Sequence, residues 1–210
     1  FIHDDLTALA KLFRTDKWGK HYYTFHYQTH FKPYKYKKNN ILEIGVGGYD
    51  NPVSGAHSLR MWKNYFRKSK IISVDIFDKS QLQEKRIKIY EGRQIDKDLL
   101  NIMDIDSGPF DIIIDDGSHH PIHQIETFNF LFKNLLEPGG VYIIEDIECN
   151  YWNEESSIYG YRIGVFNAID YTKNLIDYVN SEFSKKENKL KKVHLQDLLS
   201  KLEWNIILPK

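Results

Sequence analysis

Acidic residues and a histidine directly follow two of the apolar runs in this sequence. Asp115, Asp116 and His119 come after one run, and Glu145 and Asp146 come after the next. Several carboxylates held at one place repel one another unless a cation or protons compensate their charge. Oxygen ligands of this kind favour a hard ion such as magnesium, calcium or manganese. The pattern therefore predicts a magnesium site among these carboxylates. In the alternative interpretation, Asp116 and Asp146 only cap the helices that follow them.

His119 follows Asp116 by three residues, which is close enough to share the site while the ring faces a substrate. Such a position suits a general base, because a neighbouring carboxylate orients an imidazole and stabilises its charged form. A hydroxyl group that acts as a nucleophile needs a base, because its pKa lies far above neutral pH. A metal that contacts two adjacent hydroxyl oxygens would orient the acceptor while His119 takes the proton. We interpret His120 and His123 as surface residues without a catalytic role.

A glycine-rich turn follows an earlier apolar run. Gly45, Gly47 and Gly48 suit a tight turn at which the backbone approaches a cofactor, although a plain strand-to-helix turn can have the same composition. A dinucleotide-binding loop has a third glycine at the position that Asp50 occupies here. Asp75 ends the next run, where a carboxylate can accept hydrogen bonds from both ribose hydroxyls of a nucleoside.

Gln94 and Asp96 follow the third apolar run. An amide and a carboxylate at this place could hydrogen-bond the edge of an adenine, but Asp96 is equally well placed to begin a helix. We also assign Asp115 to cofactor binding. A glycine turn, a ribose carboxylate and an adenine site without a phosphate cradle favour S-adenosylmethionine over NAD.

Short apolar segments alternate with helical patterns along most of the chain. Strands are predicted at 41–44, 71–76, 87–90, 110–114 and 141–144, and helices between them at 58–66, 96–103 and 123–136. This alternation predicts an α/β fold with a doubly wound, mostly parallel sheet covered on both faces. In such sheets the ligand crevice lies outside the carboxyl ends of the strands, where the glycine turn and the acidic residues are found.

The length of 210 residues suits a single domain. We divide it into an N-terminal helical cap (1–38), a cofactor- and metal-binding core (39–150) and acceptor-side and C-terminal elements (151–210). A helix is predicted at 6–13, another at 165–183 and a late strand at 204–208. The segment 21–31 is rich in aromatic residues and histidine, and could cover the site.

The composition limits the classes of partner. Basic and acidic residues are equal in number, 29 of each, so no overall field attracts nucleic acid or an anionic membrane. A small-molecule or glycan acceptor is therefore expected, and a homo-oligomer is left open. The lone Cys149 excludes an internal disulfide, and no apolar run reaches the roughly 20 residues of a membrane span. Together these features favour a cytoplasmic location.

Several segments, taken in order, resemble the metal-dependent sugar O-methyltransferases of macrolide biosynthesis and their cephalosporin-pathway relatives. The resemblance covers most of the chain and depends on TDKWGKHYYTFHY from Thr15, ILEIGVGGYDNP from Ile41, SLRMWKNYF from Ser58, VDIFDKS from Val74, DIIIDDGSHH from Asp111 and EPGGVYIIEDIE from Glu137. It implies a Rossmann-like class I methyltransferase fold and S-adenosylmethionine as the donor. It also implies magnesium held by Asp116, Glu145 and Asp146, with His119 as the base.

The same resemblance suggests further site residues. It suggests that Glu43, Gly45 and Asp75 contact the donor, and that the TDKWG segment from Thr15, together with Tyr22 and Tyr23, helps to close the site. The sequence departs from the family at Ala56 and His57 and shows little likeness beyond Trp152. The region from Trp152 onward is expected to shape the acceptor pocket.

The sequence leaves more than one class of acceptor open. A sugar hydroxyl, on a bacterial surface polysaccharide or a natural product, is the preferred target, and a catechol-like phenol is an alternative because its paired oxygens could also chelate a metal. A nicotinamide-dependent oxidoreductase is disfavoured by the missing third glycine. A non-catalytic nucleoside- or glycan-binding module is disfavoured because binding alone requires no base.

Overall fold

The computed structural model describes residues 2–152 and 166–180 of the chain. In these residues five strands form one sheet in which every neighbouring pair is parallel. The strand order is β3-β2-β1-β4-β5. The strands are β1 (Asn40–Ile44), β2 (Lys70–Asp75), β3 (Ile87–Glu91), β4 (Phe110–Asp115) and β5 (Leu136–Ile144). The predicted doubly wound α/β fold is confirmed.

Six helices surround the sheet in the described part of the chain. They are α1 (Leu6–Phe13), α2 (Thr24–Phe31), α3 (His57–Tyr65), α4 (Lys97–Ser107), α5 (Pro121–Asn134) and α6 (Ala168–Val179). Short 3₁₀ turns occur at Ile2–Asp4, Ser80–Leu82 and Ile147–Tyr151. Among these described helices, none combines the length and the apolar character that crossing a membrane requires.

The two faces of the sheet bury two separate apolar cores, because successive strand residues point to opposite sides. Ile41 in β1 and Ile71 in β2 pack with α1, α2 and α3 in one core. Their neighbours Leu42 and Ile72 pack with α4, α5 and α6 in the other. Burial on both sides explains why the strands are nearly continuous apolar runs.

Most predicted elements agree with the structure to within a few residues. The main difference is β5, which begins at Leu136 and therefore includes the segment EPGG, whereas the sequence pattern placed its start at 141. The pairing of β5 with β4 shifts register between Phe110 and Ile112, and this irregularity accommodates the proline and glycines. Helix α5 consequently ends at Asn134, two residues before its predicted end. The strand predicted at 204–208 lies outside the described residues.

The chain reverses its direction of winding at β1, which lies between β2 and β4. After β3 the chain crosses to the other side of β1, so the loops that follow β1 and β4 diverge and leave a crevice at the carboxyl end of the sheet. Helices α1 and α2 pack beside α3. The segment between α1 and α2, residues 14–23, reaches this crevice with Asp16 and Lys20.

Candidate active site

A cleft of about 520 Å³ opens at the carboxyl ends of the strands. The glycine turn after β1 and the end of β2 form one part of its wall, and the polar residues after β4 and β5 form another. Its lining includes Gly45, Gly47, Gly48, Asp75, Gln94, Asp116, His119 and Asp146. Eight of the residues predicted from sequence are thus brought into one cavity.

The glycine turn requires residues without a side chain. Gly45 has a φ of +93°, and a Cβ atom there would lie 2.2 Å from the backbone oxygen of Asp116. Gly48 has a φ of +80°, and its Cβ would lie 2.2 Å from the backbone oxygen of Ser54. Gly47 has a φ of +75° but has open space around it. Conformation and close backbone approach therefore both specify glycine at Gly45 and Gly48.

Asp75 lies at the end of β2 and faces the cleft. Its Oδ2 accepts a hydrogen bond from the backbone N–H of Val46 at 2.8 Å, and its Oδ1 accepts one from Phe77 N–H at 3.0 Å. These bonds join the glycine turn to the end of β2. Each carboxylate oxygen has two lone pairs, so Asp75 keeps acceptor capacity for a ligand hydroxyl.

Glu43 is fully buried in β1 and is not among the residues that line the cleft. Its Oε2 accepts hydrogen bonds from Ser58 Oγ at 2.9 Å and from Trp62 Nε1 at 3.0 Å. Burial raises the pKa of Glu43 to about 7, although nearby Lys17 opposes the shift. The structure therefore places Glu43 beneath the site, where it connects β1 to α3, and not on the cleft surface.

Gln94 joins the loop after β3 to β4, to α5 and to the loop between them. Its Nε2 donates to Asp115 Oδ1 at 3.3 Å and to Thr127 Oγ1 at 3.1 Å, while its Oε1 accepts from Ser118 N–H at 2.8 Å. These contacts occupy the amide with neighbouring protein groups. Asp96 caps helix α4 by accepting from the first N–H groups of that helix, so the structure shows the helix-starting role for this residue.

Asp115 is buried at the end of β4 and, like Glu43, does not line the cleft. Tyr142 donates from its hydroxyl to Asp115 Oδ2 at 3.4 Å. Burial raises the pKa of Asp115 to about 7, and the negative charge of Asp116 adds to the shift. This residue connects β4, β5 and Gln94 from below the cleft.

Asp116, His119 and Asp146 converge on the cleft from two loops. His119 Nε2 lies 3.5 Å from Asp146 Oδ2 and 3.8 Å from Asp116 Oδ1. The possible ligand atoms of these three residues lie within 4.8 Å of one another. The two carboxylates suit a hard divalent cation such as magnesium, and the imidazole lies beside them. In the structure neither Asp116 nor Asp146 caps a helix with its side chain.

Glu145 faces the interior. It is 3% exposed, and its Oε1 contacts Lys17 Nζ at 2.6 Å and also accepts from the hydroxyl of Tyr27. Burial raises the pKa of Glu145, and the nearby charge of Asp116 raises it further. Glu43, Asp116 and Glu145 form a second group whose possible ligand atoms lie within 4.8 Å of one another. The three predicted metal ligands are therefore neighbours, with Glu145 on the inner side and Asp146 on the cleft side.

Sequence reasoning did not single out Lys17. This residue is fully buried, and its ammonium contacts Glu43 Oε1 at 3.2 Å, Asp116 Oδ2 at 2.9 Å and Glu145 Oε1 at 2.6 Å. Burial alone lowers the pKa of Lys17, but the three carboxylates outweigh it and raise the pKa well above its ordinary value. A lysine is ordinarily expected on the surface. Only its place in the TDKWG motif could have marked Lys17 as a site residue.

The remaining aromatic candidates are placed differently from one another. Tyr23 donates from its hydroxyl to Asp146 Oδ1 at 2.6 Å, which connects the segment before α2 to the acidic end of the cleft. Tyr22 is 60% exposed and packs edge-on against Trp18. Neither Tyr22 nor Trp152, which follows the last 3₁₀ turn, lines the cleft.

The two histidines after His119 occupy the start of α5. His120 is the N-cap residue of this helix, and its ring lies 4.8 Å from that of His123. His123 lines the cleft, and its Nδ1 is 2.8 Å from Ser118 Oγ. The interpretation of His123 as a plain surface residue therefore missed its contact with the cleft.

The sequence is similar to those of several sugar O-methyltransferases. The chain is 41% identical over 172 residues to 8-demethyl-8-alpha-L-rhamnosyl tetracenomycin-C 2'-O-methyltransferase of Streptomyces olivaceus, covering 82% of this chain and 45% of that protein. It is 45% identical over 149 residues to mycinamicin VI 2''-O-methyltransferase of Micromonospora griseorubida, covering 70% of this chain and 37% of that protein. The chain is a homologue of these sugar O-methyltransferases. No family model matches it.

Solved structures support the same relationship. MycE methyltransferase from the mycinamycin biosynthetic pathway, in complex with Mg, SAH and mycinamycin VI, superimposes with a TM-score of 0.77 at 40% identity over 84% of this chain and 48% of that one. A second crystal form of MycE with Mg and SAH gives a TM-score of 0.79 at 38% identity over 88% of this chain and 47% of that one. The expected class I methyltransferase fold is confirmed, and the chain spans about half the length of the relatives it matches.

Proposed function

We propose that this protein is a divalent-metal-assisted methyltransferase that transfers a methyl group from S-adenosylmethionine to a hydroxyl oxygen of a sugar on a small-molecule glycoside. One observation carries the proposal. A single cleft contains the glycine turn and Asp75 together with Asp116, His119 and Asp146. A nucleoside-type donor and a general base with adjacent carboxylates can therefore meet in the same cavity. The relatives that transfer methyl groups to sugars strengthen this interpretation.

The donor is assigned to the wall formed by β1 and β2. The ribose hydroxyls would donate to Asp75, whose position is held by the two backbone N–H groups described above. Ile76 and Phe77 line the cleft next to Asp75, with Ile95 on the following loop, and offer apolar contact to an adenine ring. The amino-acid part would lie along Gly45, where the absent side chain lets the backbone approach the donor.

The metal is assigned to the carboxylates that follow β4 and β5. Asp116 and Asp146 would hold it, and Glu145 would complete the set from the inner side. Their chemistry fits, since oxygen-rich ligand sets are what magnesium prefers and the group carries more acidic than basic side chains. When bound, such an ion lowers the cost of ionising a hydroxyl and orients the acceptor.

His119 is assigned the proton transfer. As the acceptor oxygen attacks the donor methyl carbon in line, the O–H proton passes to a ring nitrogen of His119. The new O–CH₃ bond forms while the S–CH₃ bond breaks, which leaves S-adenosylhomocysteine and an imidazolium. Asp116 and Asp146 lie beside the ring and stabilise the imidazolium that results.

We propose a sugar of a natural product as the acceptor, in preference to a surface polysaccharide. One relative is named for a rhamnosyl tetracenomycin and another for mycinamicin VI. A catechol-like phenol is a second candidate acceptor only because its two adjacent oxygens could chelate a metal, as two adjacent sugar hydroxyls could. No comparison favours an oxidoreductase or a non-catalytic module. A cytoplasmic location and a homo-oligomeric state stay predictions.

The experiment that tests the proposal combines donor, acceptor and metal. The protein is incubated with methyl-labelled S-adenosylmethionine and a panel of sugar-bearing natural products, nucleotide sugars and catechols, with magnesium or with chelator. We expect label on a glycoside hydroxyl only when magnesium is present, and no label with the His119→Ala variant. Transfer to catechols alone would replace the acceptor class, and transfer at full rate in chelator would remove the metal from the mechanism.

A further inference from the structure

The buried lysine of the N-terminal segment has an unusual set of contacts. The side chain of Lys17 reaches from the turn between α1 and α2 to carboxylates on β1 and after β4 and β5. An ammonium group has three N–H donors, and three carboxylates lie within 3.2 Å of this one. Lys17 donates hydrogen bonds to Asp116 and Glu145 and forms an ion pair with Glu43, so it is an internal counter-ion for the acidic cluster.

These contacts determine how Asp116 is oriented. Its backbone is held by the hydrogen bond from Asp116 N–H to Ile44 O at 3.1 Å and by close packing against Gly45. Its Oδ2 points to Lys17, so Oδ1 is left on the side of the cleft, 3.8 Å from His119 Nε2. Without the ammonium group, nothing in these contacts would keep one carboxylate oxygen inward and the other outward.

Glu145 is oriented by the same group. Its backbone N–H donates to Asp115 O at 2.9 Å, and its side chain is held between Lys17 and Tyr27. Two of the three carboxylates assigned to the metal therefore share one buried cation. The ammonium of Lys17 compensates the repulsion between the carboxylates of Asp116 and Glu145, so the two can lie side by side.

We propose that Lys17 is a positioning residue for the divalent metal, which orients the carboxylates of Asp116 and Glu145 so that they can bind the ion from the interior side of the cleft. The inference rests on the proposed metal-assisted function. Lys17 is not assigned a contact with donor, acceptor or reacting atoms. It also connects the segment 14–23, which carries the cleft residues Asp16 and Lys20, to the metal end of the site.

The test measures metal binding directly and does not depend on turnover. Titration calorimetry with magnesium is performed on the 210-residue protein saturated with S-adenosylhomocysteine, and urea unfolding is followed in parallel. Lys17→Met keeps an unbranched side chain that is one heavy atom shorter, and it removes the charge. We expect it to weaken magnesium affinity by about 10- to 100-fold, as loss of a group that orients metal ligands typically does. Affinity for S-adenosylhomocysteine without metal should change by less than about threefold.

The matched control is Lys35→Met, which removes another buried lysine paired with a carboxylate, that of Asp4, away from the cleft. This variant should lower the urea midpoint while leaving magnesium affinity unchanged. If Lys17→Met also lowers only the midpoint, Lys17 has a structural role alone and the inference is wrong. Tighter magnesium binding by Lys17→Met would also overturn it, because Lys17 would then act mainly as a competing cation.

A second variant keeps the inference testable if Lys17→Met does not fold. Glu43→Gln retains Lys17 but weakens one of its three ionic contacts, and Glu43 is not assigned to the metal. We expect magnesium affinity to fall by a smaller factor, about threefold to tenfold. Unchanged affinity in this variant would count against the positioning role. Absence of magnesium binding by the unmodified protein would instead overturn the metal-assisted function together with this inference.

Discussion

The carboxylate of Asp75 accepts a hydrogen bond from the backbone N–H of Val46 at 2.8 Å, and this contact joins the end of β2 to the glycine turn after β1. The second oxygen of Asp75 accepts from Phe77 N–H at 3.0 Å. One side chain therefore shapes two loops of the cleft and presents its remaining lone pairs to a ligand. Donor binding and loop geometry depend on the same residue.

We expect Asp75→Ala to weaken binding of S-adenosylhomocysteine by about 10- to 100-fold, because hydrogen bonds to a charged acceptor contribute about 1.5–3 kcal/mol. Calorimetry without metal measures this change. The control is Asp78→Ala on the same loop, since Asp78 accepts from Ser80 N–H but does not line the cleft. Equal affinities for the two variants would contradict the assignment of Asp75 to the ribose.

The glycine turn allows a sharper comparison between two neighbouring positions. Gly45→Ala would place a Cβ atom 2.2 Å from the backbone oxygen of Asp116, whereas Gly47→Ala would add only the cost of a positive φ. We expect Gly45→Ala to lose most of its donor affinity and several degrees of thermal stability. Gly47→Ala should lose about 1 kcal/mol of folding stability.

Gly139→Ala serves as the control for backbone strain, because Gly139 has a φ of +80°, open space around it and a position in β5 away from the cleft. It should resemble Gly47→Ala in stability and leave donor affinity unchanged. Thermal unfolding and calorimetry on the three variants separate strain from close approach. Wild-type donor affinity in Gly45→Ala would show that the turn does not shape the donor site.

The fold could be predicted because its signal is local and repeated. Strands buried on both faces are continuous apolar runs, and their carboxyl ends carry the polar residues, so both the sheet and the edge with the chemistry were visible in the sequence. The start of β5 was harder to predict. Pro138 and the two following glycines are typical of a turn, but the register shift beside β4 accommodates them within the strand.

The layer beneath the cleft could not be predicted in the same way. Glu43 and Asp115 lie at strand ends like Asp75, yet both are buried, and only the packing of α3 and β5 decides this. Lys17 is 99 residues from Asp116 and 128 from Glu145, so no spacing rule connects them. Sequence pattern indicates which edge of the sheet carries the site, whereas three-dimensional packing decides which side chains reach its surface.

The buried carboxyl of Asp115 predicts a pH-dependent stability. Burial raises its pKa from 3.8 to about 7 in the folded protein, so the folded state holds a proton that the unfolded chain has already lost. The contribution of Asp115 to the free energy of unfolding is fully present below about pH 4. It is lost as pH rises toward 7, and the free energy then falls by up to about 1.4 kcal/mol per pH unit. We expect the free energy of unfolding in chelator to fall between about pH 5 and 7.

Asp115→Asn removes the titrating group while keeping a side chain of similar shape. Its free energy of unfolding should fall less steeply over the same pH range, although Glu43, whose pKa is also about 7, still contributes to the slope. Urea unfolding at several pH values measures the difference between the two slopes. Parallel curves for Asp115→Asn and the unmodified protein would show that this carboxyl is already ionised when buried.

The metal assignment predicts a separation between donor and metal binding. Asp146 follows β5 and Asp75 ends β2, and these strands lie on opposite sides of β1 in the sheet. Chelator should therefore abolish methyl transfer while leaving affinity for S-adenosylhomocysteine within about threefold, and added magnesium should restore transfer. Asp146→Ala should behave like the chelated protein without being rescued. Joint loss of donor and metal binding in this variant would contradict two separate sites.

The assignment of His119 as the base leads to the last prediction. His119 Nε2 lies within 3.8 Å of both Asp116 and Asp146, in a cleft that also contains the donor wall. His119→Ala should lower turnover by about 10²- to 10⁴-fold, the usual cost of losing a general base, with little effect on donor affinity. Because His119 has a φ of +54°, His119→Asn is a useful companion, since asparagine tolerates this conformation and cannot act as the base.

The matched control is His120→Ala, because His120 is the N-cap residue of α5 and caps it without a side-chain hydrogen bond. The turnover of His120→Ala should stay within a few-fold of that of the unmodified protein. Single-turnover rates across pH 5 to 9 complete the test: the limb that reports loss of a proton from the base should disappear in both His119 variants and remain in His120→Ala. A retained limb together with near-normal turnover in His119→Asn would mean that metal activation of the hydroxyl suffices without a histidine base.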